Sequence, residues 1–354
     1  EKDVKVFPRE SGRSKRLKER SRDKNIIPIG AQDGDTDTYL IYPIEEDSKD
    51  AVHITHGDIR RLDPPEYLND QLIDFKIKHM MNEVYNTRSQ SVHAFNCLFF
   101  SKLTQEISVK KGYSLVQRWT KNVDIFQKEM VIIPINQSTH WSVLFILFPN
   151  LLFVDDNAGS DLNHENELGK SCNNSFSQET ASISEDKSDC DVNKISQVPC
   201  ILSFDSLSLH NSKKLVENIR TYLHLEYMDK KCEGESNCDQ SRKDKIKHYI
   251  DNMQHIEMKN IPTQENGYDC GVYVCKYIDI MLRERLESTK ELISVNFRPL
   301  FHNNNFTASD ITRERNEIKT VLSLVKPQYD KEMVERSLKK GKKKIIITSD
   351  DDIE

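Results

Sequence analysis

The sequence predicts an α+β fold in which a mixed central sheet is flanked by helices. Short apolar runs of strand length recur at 130–135, 141–148 and 200–204, and helical spacing of apolar residues surrounds them at 69–82 and 212–227. A further helical pattern begins at Cys270, directly after a polar, glycine-punctuated loop. Apolar runs bounded by turn residues suit buried strands, whereas apolar positions three and four apart suit a helix packed on one face.

In chain order, 39–42 predicts a strand, and Thr55 followed by Asp58 predicts a capping box that opens a helix. A long helix is expected over Asn69 to Asn82, with Leu68, Leu72, Phe75 and His79 on one face and Ile73, Ile77 and Met80 on another. Met130 to Ile135 and Trp141 to Phe148 read as two strands joined by a short polar turn, which His140 closes. The run Cys200 to Phe204 is a third strand, with Asp205 at its end, and a helix follows from Ser212 to Tyr227. In the next helix Gly271, Cys275, Ile278 and Leu282 share one face, as do Val274 and Met281, so it should lie against the core with Cys270 at its N-terminus. The last helix is expected after a cap at Ser309 and carries Ile311, Ile318, Val321, Leu322 and Val325.

Composition fits one packed domain with polar additions. Of 354 residues, 36% are hydrophobic and 31% charged, too polar a chain to be packed throughout. Residues 1–37 read as a basic flexible leader, whose cluster Arg13 to Arg20 suits nuclear import or weak nucleic-acid contact, or is simply a solvated tail. The chain starts at Glu1 rather than Met, so a piece of a longer protein is expected. The catalytic domain is expected over 38–328, with polar surface insertions at about 155–197 and 230–245 and a charged tail at 329–354. A core of ordinary domain size is left, enough to bury a stable interior.

No signal peptide and no apolar run of membrane-spanning length stand out, which points to a nuclear or cytoplasmic protein without a membrane role. The net charge of -6 fits no obligatory nucleic-acid binder. The 8 cysteines contain no Cys-x-x-Cys, and Cys232 and Cys238 are separated by an acidic stretch, so disulfides, a zinc site and other cofactors are not expected.

The chemistry lies in His140-Trp141, Asp205, Gln264 and Cys270-Gly271, in that order. A thiol at the start of a buried helix meets the positive end of the helix dipole and, beside an imidazole, is expected to react as thiolate. Asp205 can accept from the second nitrogen of His140 and fix its tautomer, and Gln264 can donate an amide N–H to an oxyanion alongside the Cys270 backbone N–H. Each residue alone has an ordinary explanation: a packed small thiol, a structural histidine, a turn-capping carboxylate. Taken together they predict a cysteine protease.

The chain resembles the SUMO-specific proteases, the ubiquitin-like-protease family related to the adenovirus endopeptidase. The resemblance rests on Tyr67-Leu68-Asn69-Asp70, Phe95-Asn96, Phe99-Phe100, Trp119-Thr120, Val123 to Phe126, His140-Trp141, Asp205-Ser206-Leu207 and Gln264 to Gly271, and spans about 39–325 outside the insertions. Pro199 to Leu202, Tyr222 to Tyr227 and Asp269 to Val274 look most like the branch that edits poly-SUMO chains.

The resemblance implies a papain-like or adenain-like fold and a monomer that cleaves after the Gly-Gly end of SUMO, with SUMO conjugates and poly-SUMO chains as partners. It implies Cys270 as nucleophile, His140 as base and acid, Asp205 as orienter and Gln264 as oxyanion donor. Trp141 resembles the tryptophan that covers the Gly-Gly tail. Many relatives have a second tryptophan where this chain has Tyr67, so the other wall of that tunnel differs here. Long acidic loops at 155–197 resemble those of the chain-editing branch. Ile345 to Asp352 resembles a SUMO-interacting motif, three aliphatics before an acidic cluster that bind as an edge strand. Two other readings stay open: the same chemistry on another ubiquitin-like modifier, NEDD8 or ubiquitin, and a catalytically silent SUMO-binding module.

Overall fold

The structure, a computed structural model, describes residues 34–45, 50–153, 197–232, 238–259, 261–284 and 306–349. Strands β1 (Thr38–Tyr42) and β2 (Val52–Thr55) form a small antiparallel sheet. Helix α1 (His56–Arg60) follows at once, opened by the Thr55–Asp58 capping box. Helix α2 spans Asp70–His79. Asn69, expected as its first residue, caps it instead, its side chain accepting from Leu72 N at 3.2 Å. The chain continues through a π-helical turn at Met80–Val84.

The main sheet comprises β3 (Val92–Ala94), β4 (Met130–Gln137), β5 (His140–Leu147), β6 (Cys200–Phe204) and β7 (Gln254–Glu257), in that spatial order. The outer pairs are parallel and the two inner pairs antiparallel, so the sheet is mixed as expected. Between β3 and β4 lie α3 (Leu98–Leu103) and α4 (Val109–Val116); between β6 and β7 lie α5 (Ser212–Tyr227) and α6 (Gln240–Asn252). Helices α7 (Cys270–Arg283) and α8 (Ala308–Ser349) complete the described elements.

Both faces of the sheet are covered, because successive side chains point to opposite sides of a strand. Val143, Phe145, Leu147, Leu202 and Phe204 join α2, α7 and α8 in one apolar cluster. Leu144, Ile146, Ile201, Val131 and Ile133 join α3 to α6 in the other. All eight residues of β5 are buried. Pro134 is tolerated inside β4 because β3 pairs only as far as Ile132, leaving the proline on a stretch with one neighbouring strand.

Four expectations need correction. The stretch 230–245 is not one polar insertion: Met228–Cys232 is a helical turn, and residues 240–245 open α6 behind an Asp239 cap that accepts from Arg242 N at 2.8 Å. Only Ile246 and Ile250 of α6 are buried, four residues apart, so its apolar face was too narrow to read. Cys232 and Cys238, expected free, form a disulfide; their Cα atoms lie 5.4 Å apart, well within the reach of such a bond.

The cap of α8 is Thr307 rather than Ser309, with Asp310 accepting from Thr307 N at 2.8 Å in a capping box. Beyond 328 the charged tail does not leave the helix, although Tyr329 is the last of its residues packed on the apolar cluster. Residues 1–33, 154–196 and 350–354 lie outside the described residues, which takes with them nearly all of the basic leader, the long insertion and the acidic end of the 345–352 motif. The backbone of 345–349 continues α8.

The β4–β5 connection is a two-residue loop, Ser138-Thr139, since Gln137 pairs with His140. Both loop residues have positive φ, 53° and 64°, as a type I′ hairpin demands. Neither is glycine, and a β-branched residue in this region is strained. Replacing Ser138 by Asn and Thr139 by Gly should stabilise the fold by roughly 1 kcal/mol, the scale of the left-handed penalty removed. Urea unfolding should show a raised midpoint with an unchanged slope, and a lowered midpoint would contradict the turn geometry.

Candidate active site

Three elements converge where β5, β6 and α7 begin or end. His140 is the first residue of β5, Asp205 follows the last residue of β6, and Cys270 is the first residue of α7. Cys270 is 2% exposed, and the helix behind it buries nearly its whole length against β5, α2 and α8. Gly271 makes this approach possible. A Cβ there would sit 3.0 Å from Leu68 Cβ, 3.1 Å from Ile73 Cδ1 and 3.4 Å from Trp141 Cδ1.

His140 Nε2 lies 2.6 Å from Asp205 Oδ1. Its other nitrogen is left for Cys270, which lies close enough to act on the ring's protonation. Burial of the imidazole lowers its pKa, but the hydrogen bonds to Asp205 and Cys270 and the charges of both outweigh this and raise it to about 9. Asp205 moves the other way. Burial raises its pKa, yet the hydrogen bond from His140 and backbone N–H donation from His210 and Leu207 bring it down to about 2. The arrangement therefore favours an imidazolium clasped by a carboxylate, poised beside a thiol.

Gln264 is buried and its amide orientation is set from both ends: Oε1 accepts from Ser206 Oγ at 3.0 Å, and Nε2 donates to Asn266 O at 2.6 Å. One N–H of that amide is thus used within the loop, leaving the second for another acceptor. Trp141 is 3% exposed, its Nε1 donating to Leu68 O at 3.1 Å. Tyr67, the next residue upstream, is 46% exposed, and its hydroxyl lies 4.0 Å from where a Cβ on Gly267 would stand. The two aromatics expected to bind substrate thus straddle Leu68, one sealed in the core and one at the surface.

His210 was not singled out by the sequence. Its backbone N–H donates to Asp205 Oδ2 at 2.9 Å, and its ring stands edge-on to that of His140 with centroids 4.8 Å apart. Its Nε2 can only donate to Gln137 O, at 3.2 Å, so Nδ1 accepts from Ser142 Oγ at 2.6 Å. Burial holds the pKa of this imidazole below the usual range, with the neighbouring His140 charge acting the same way. His210 thereby ties the 137–142 hairpin to the loop that carries Asp205. The only signal in the sequence was a histidine five residues after the acid, which by itself is uninformative.

His140, Asp205 and His210 are also the one grouping of metal-ligand type among the described residues, with ligand atoms within 4.8 Å of one another. Each of their ring nitrogens and carboxylate oxygens already has a hydrogen-bond partner in the protein. The donors are arranged for proton handling. Among the described residues no helix is long and apolar enough to cross a membrane.

Comparison with known proteins shows the family and the fold. Residues 66–319 match the family described as "Ulp1 protease family, C-terminal catalytic domain". The chain is 31% identical over 252 residues to the "Probable ubiquitin-like-specific protease 2A" of Arabidopsis thaliana, covering 69% of this chain and 26% of that protein. It is 28% identical over 279 residues to "Sentrin-specific protease 7" of Mus musculus, covering 71% of this chain and 26% of the relative. It thus spans about a quarter of the length of these relatives. A solved structure described as "Crystal structure of the de-sumoylating protease" shares the fold, with a TM-score of 0.55 and 20% identity over 84% of this chain and 95% of that one.

The His140–Asp205 pair makes stability depend on pH in a definite way. A raised imidazole pKa contributes fully below the ordinary histidine value of 6.5 and is lost as pH rises through about 9; a depressed carboxylate contributes above 3.8 and is lost as pH falls through about 2. The stability advantage of the wild type over Asp205→Asn should therefore be greatest between pH 3.8 and 6.5 and shrink on both sides. Urea unfolding across pH measures it, and an advantage that does not vary with pH would show the two groups are uncoupled.

Proposed function

We propose, on the premise that the chain belongs to the Ulp1 protease family, that it is a thiol isopeptidase cleaving after the C-terminal Gly-Gly of SUMO. In this reading it frees SUMO from target lysines and trims poly-SUMO chains. The observation that carries the chemistry is one imidazole hydrogen-bonded to Asp205 through Nε2, with Cys270 near enough to raise its pKa as well. The relatives named ubiquitin-like-specific protease and sentrin-specific protease support a ubiquitin-like substrate.

Cys270 Sγ attacks the carbonyl carbon of the terminal glycine while the proton it has given up is held on His140, the imidazolium that Asp205 stabilises. The oxyanion so formed is met by the Cys270 backbone N–H and the unused amide N–H of Gln264. His140 then protonates the lysine amine as the C–N bond breaks, leaving a thioester on Cys270. Water, deprotonated by the same imidazole, attacks the thioester and releases the glycine carboxylate and the thiol. Asp205 keeps the ring in the tautomer and orientation that each transfer needs. In this reading Trp141, beside Gly271, and Tyr67, beside Gly267, are the aromatics that meet the glycine tail. A glycine tail passes where a larger side chain would collide with the indole that Leu68 O and Gly271 hold in place. Nuclear residence belongs to this reading and rests on the basic cluster at 13–20, which lies outside the described residues.

A SUMO bearing a C-terminal electrophile should label the wild type at Cys270 and leave Cys270→Ala unlabelled. Incubation with SUMO chains, SUMO precursor and ubiquitin chains side by side should give cleavage of SUMO substrates only. Gln264→Ala should lower kcat by about 10²–10³-fold, the value of one oxyanion donor, with a smaller effect on KM. Labelling by ubiquitin or NEDD8 probes instead of SUMO would assign the same chemistry to a different modifier. SUMO binding without any cleavage would make the chain a binding module.

A further inference from the structure

We infer that Arg315, on α8, is a positioning residue that keeps the donors at the start of α7 available to the oxyanion by holding the Asp269 carboxylate away from them. The inference rests on the protease reading above. Asp269 is the N-cap of α7, a position where an aspartate ordinarily turns its carboxylate onto the first free N–H groups of its own helix. Here it makes no such cap. Its Oδ1 instead receives Arg315 Nη2 at 2.6 Å and Nε at 3.1 Å, and its Oδ2 receives Asn266 Nδ2 at 2.7 Å.

Arg315 is 1% exposed and has partners besides Asp269. Nη1 donates to Arg61 O at 2.8 Å, Nη2 donates also to Tyr268 O at 3.4 Å, and the guanidinium lies 5.7 Å from the centroid of the Tyr268 ring. Its neighbour Glu314, 3% exposed, pairs with Lys76 of α2 at 2.8 Å and Lys276 of α7 at 3.2 Å, which fixes this turn of α8 against both helices. The arginine's place is therefore set by the core rather than by Asp269 alone.

The restraint passes on to the second oxyanion donor. Asn266, held by Asp269, accepts from the backbone N–H groups of Tyr268 at 3.1 Å and Asp269 at 3.0 Å, which shapes the turn into Cys270. Asn266 O is also the acceptor that orients the Gln264 amide. The connected series Arg315, Asp269, Asn266, Gln264 thus sets both donors, and it keeps a carboxylate from capping the helix end where a developing negative charge must be received. Released from Arg315, that carboxylate would find the uncapped N–H groups of α7 within its own reach and compete for them.

The test compares Arg315→Met with Arg315→Met/Asp269→Asn, in which no carboxylate is left to swing round. Turnover of a SUMO fusion is read as kcat and KM, and the rate of Cys270 alkylation by iodoacetamide is read by mass spectrometry, with thermal unfolding as the check on folding. Arg315→Met should lose about tenfold or more in kcat, the range of one helix-end charge or oxyanion donor, with KM changed by less than about threefold. Its alkylation should slow as well. The double variant should regain most of both rates, a recovery that a merely structural role would not give. Arg315→Lys should not substitute, because a single ammonium cannot reach Asp269, Arg61 O and Tyr268 O at once.

If Arg315→Met does not fold, the folded double variant decides alone: kcat within about tenfold of wild type supports the inference, and a larger loss overturns it. A folded Arg315→Met with wild-type kcat also overturns it, as does a double variant no faster than the single one. A wild type that alkylates readily but cleaves no SUMO substrate would remove the substrate assignment, while the alkylation comparison would still judge Arg315.

Discussion

β5 is buried along all eight of its residues between two apolar clusters, and this leaves its first residue, His140, no freedom to move relative to the strands on either side. β6, paired to β5 from Val143 onward, ends one residue before Asp205, so the acid arrives beside the imidazole by register alone. α7 packs on the same face of β5, with Gly271 allowing its first turn to close on Leu68, Ile73 and Trp141. The site is thus a by-product of how a strand with no exposed face is covered. Interiors packed to near-crystalline density hold such geometry more tightly than surface loops do.

Electrostatics then divides the polar groups between two tasks. On one side of His140 lie groups that fix protonation: Asp205, depressed in pKa by donors from His140, His210 and Leu207, and His210, lowered in pKa by burial and held by bonds at both of its nitrogens. On the other side lie groups that receive charge, the start of α7 and Gln264. The carboxylate nearest that end, Asp269, is occupied by Arg315 and Asn266. Both sides follow the rule that buried charge must be paired and hydrogen-bonded.

Much of this was legible in the sequence, and the reason is locality. Apolar runs announce β4, β5 and β6; the Thr55–Asp58 box announces α1; the spacing after Cys270 announces α7. His140, Asp205 and Cys270 stand out because each terminates or opens such a run, while Gln264 stands out only with them, and the resemblance implies their roles. What stayed hidden depends on distant partners or weak faces. α6 has only two buried anchors in thirteen residues. The cap of α8 lies at Thr307, not Ser309, because Asp310, three residues after Thr307, completes its capping box. His210 acts on residues 68 and 73 positions away, and Arg315 on one 46 positions away, which no local pattern reports.

The central claim is that one imidazole joins the carboxylate after β6 to the sulfur at the head of α7. The most direct measurement is an NMR titration of the His140 ring in the wild type and in Cys270→Ala. The wild-type ring should titrate near pH 9, and loss of the sulfur should move its pKa distinctly lower, because the hydrogen bond and charge of Cys270 both help to raise it. A titration that is the same in the two proteins would mean that His140 and Cys270 do not meet, and the catalytic account would fail with that contact.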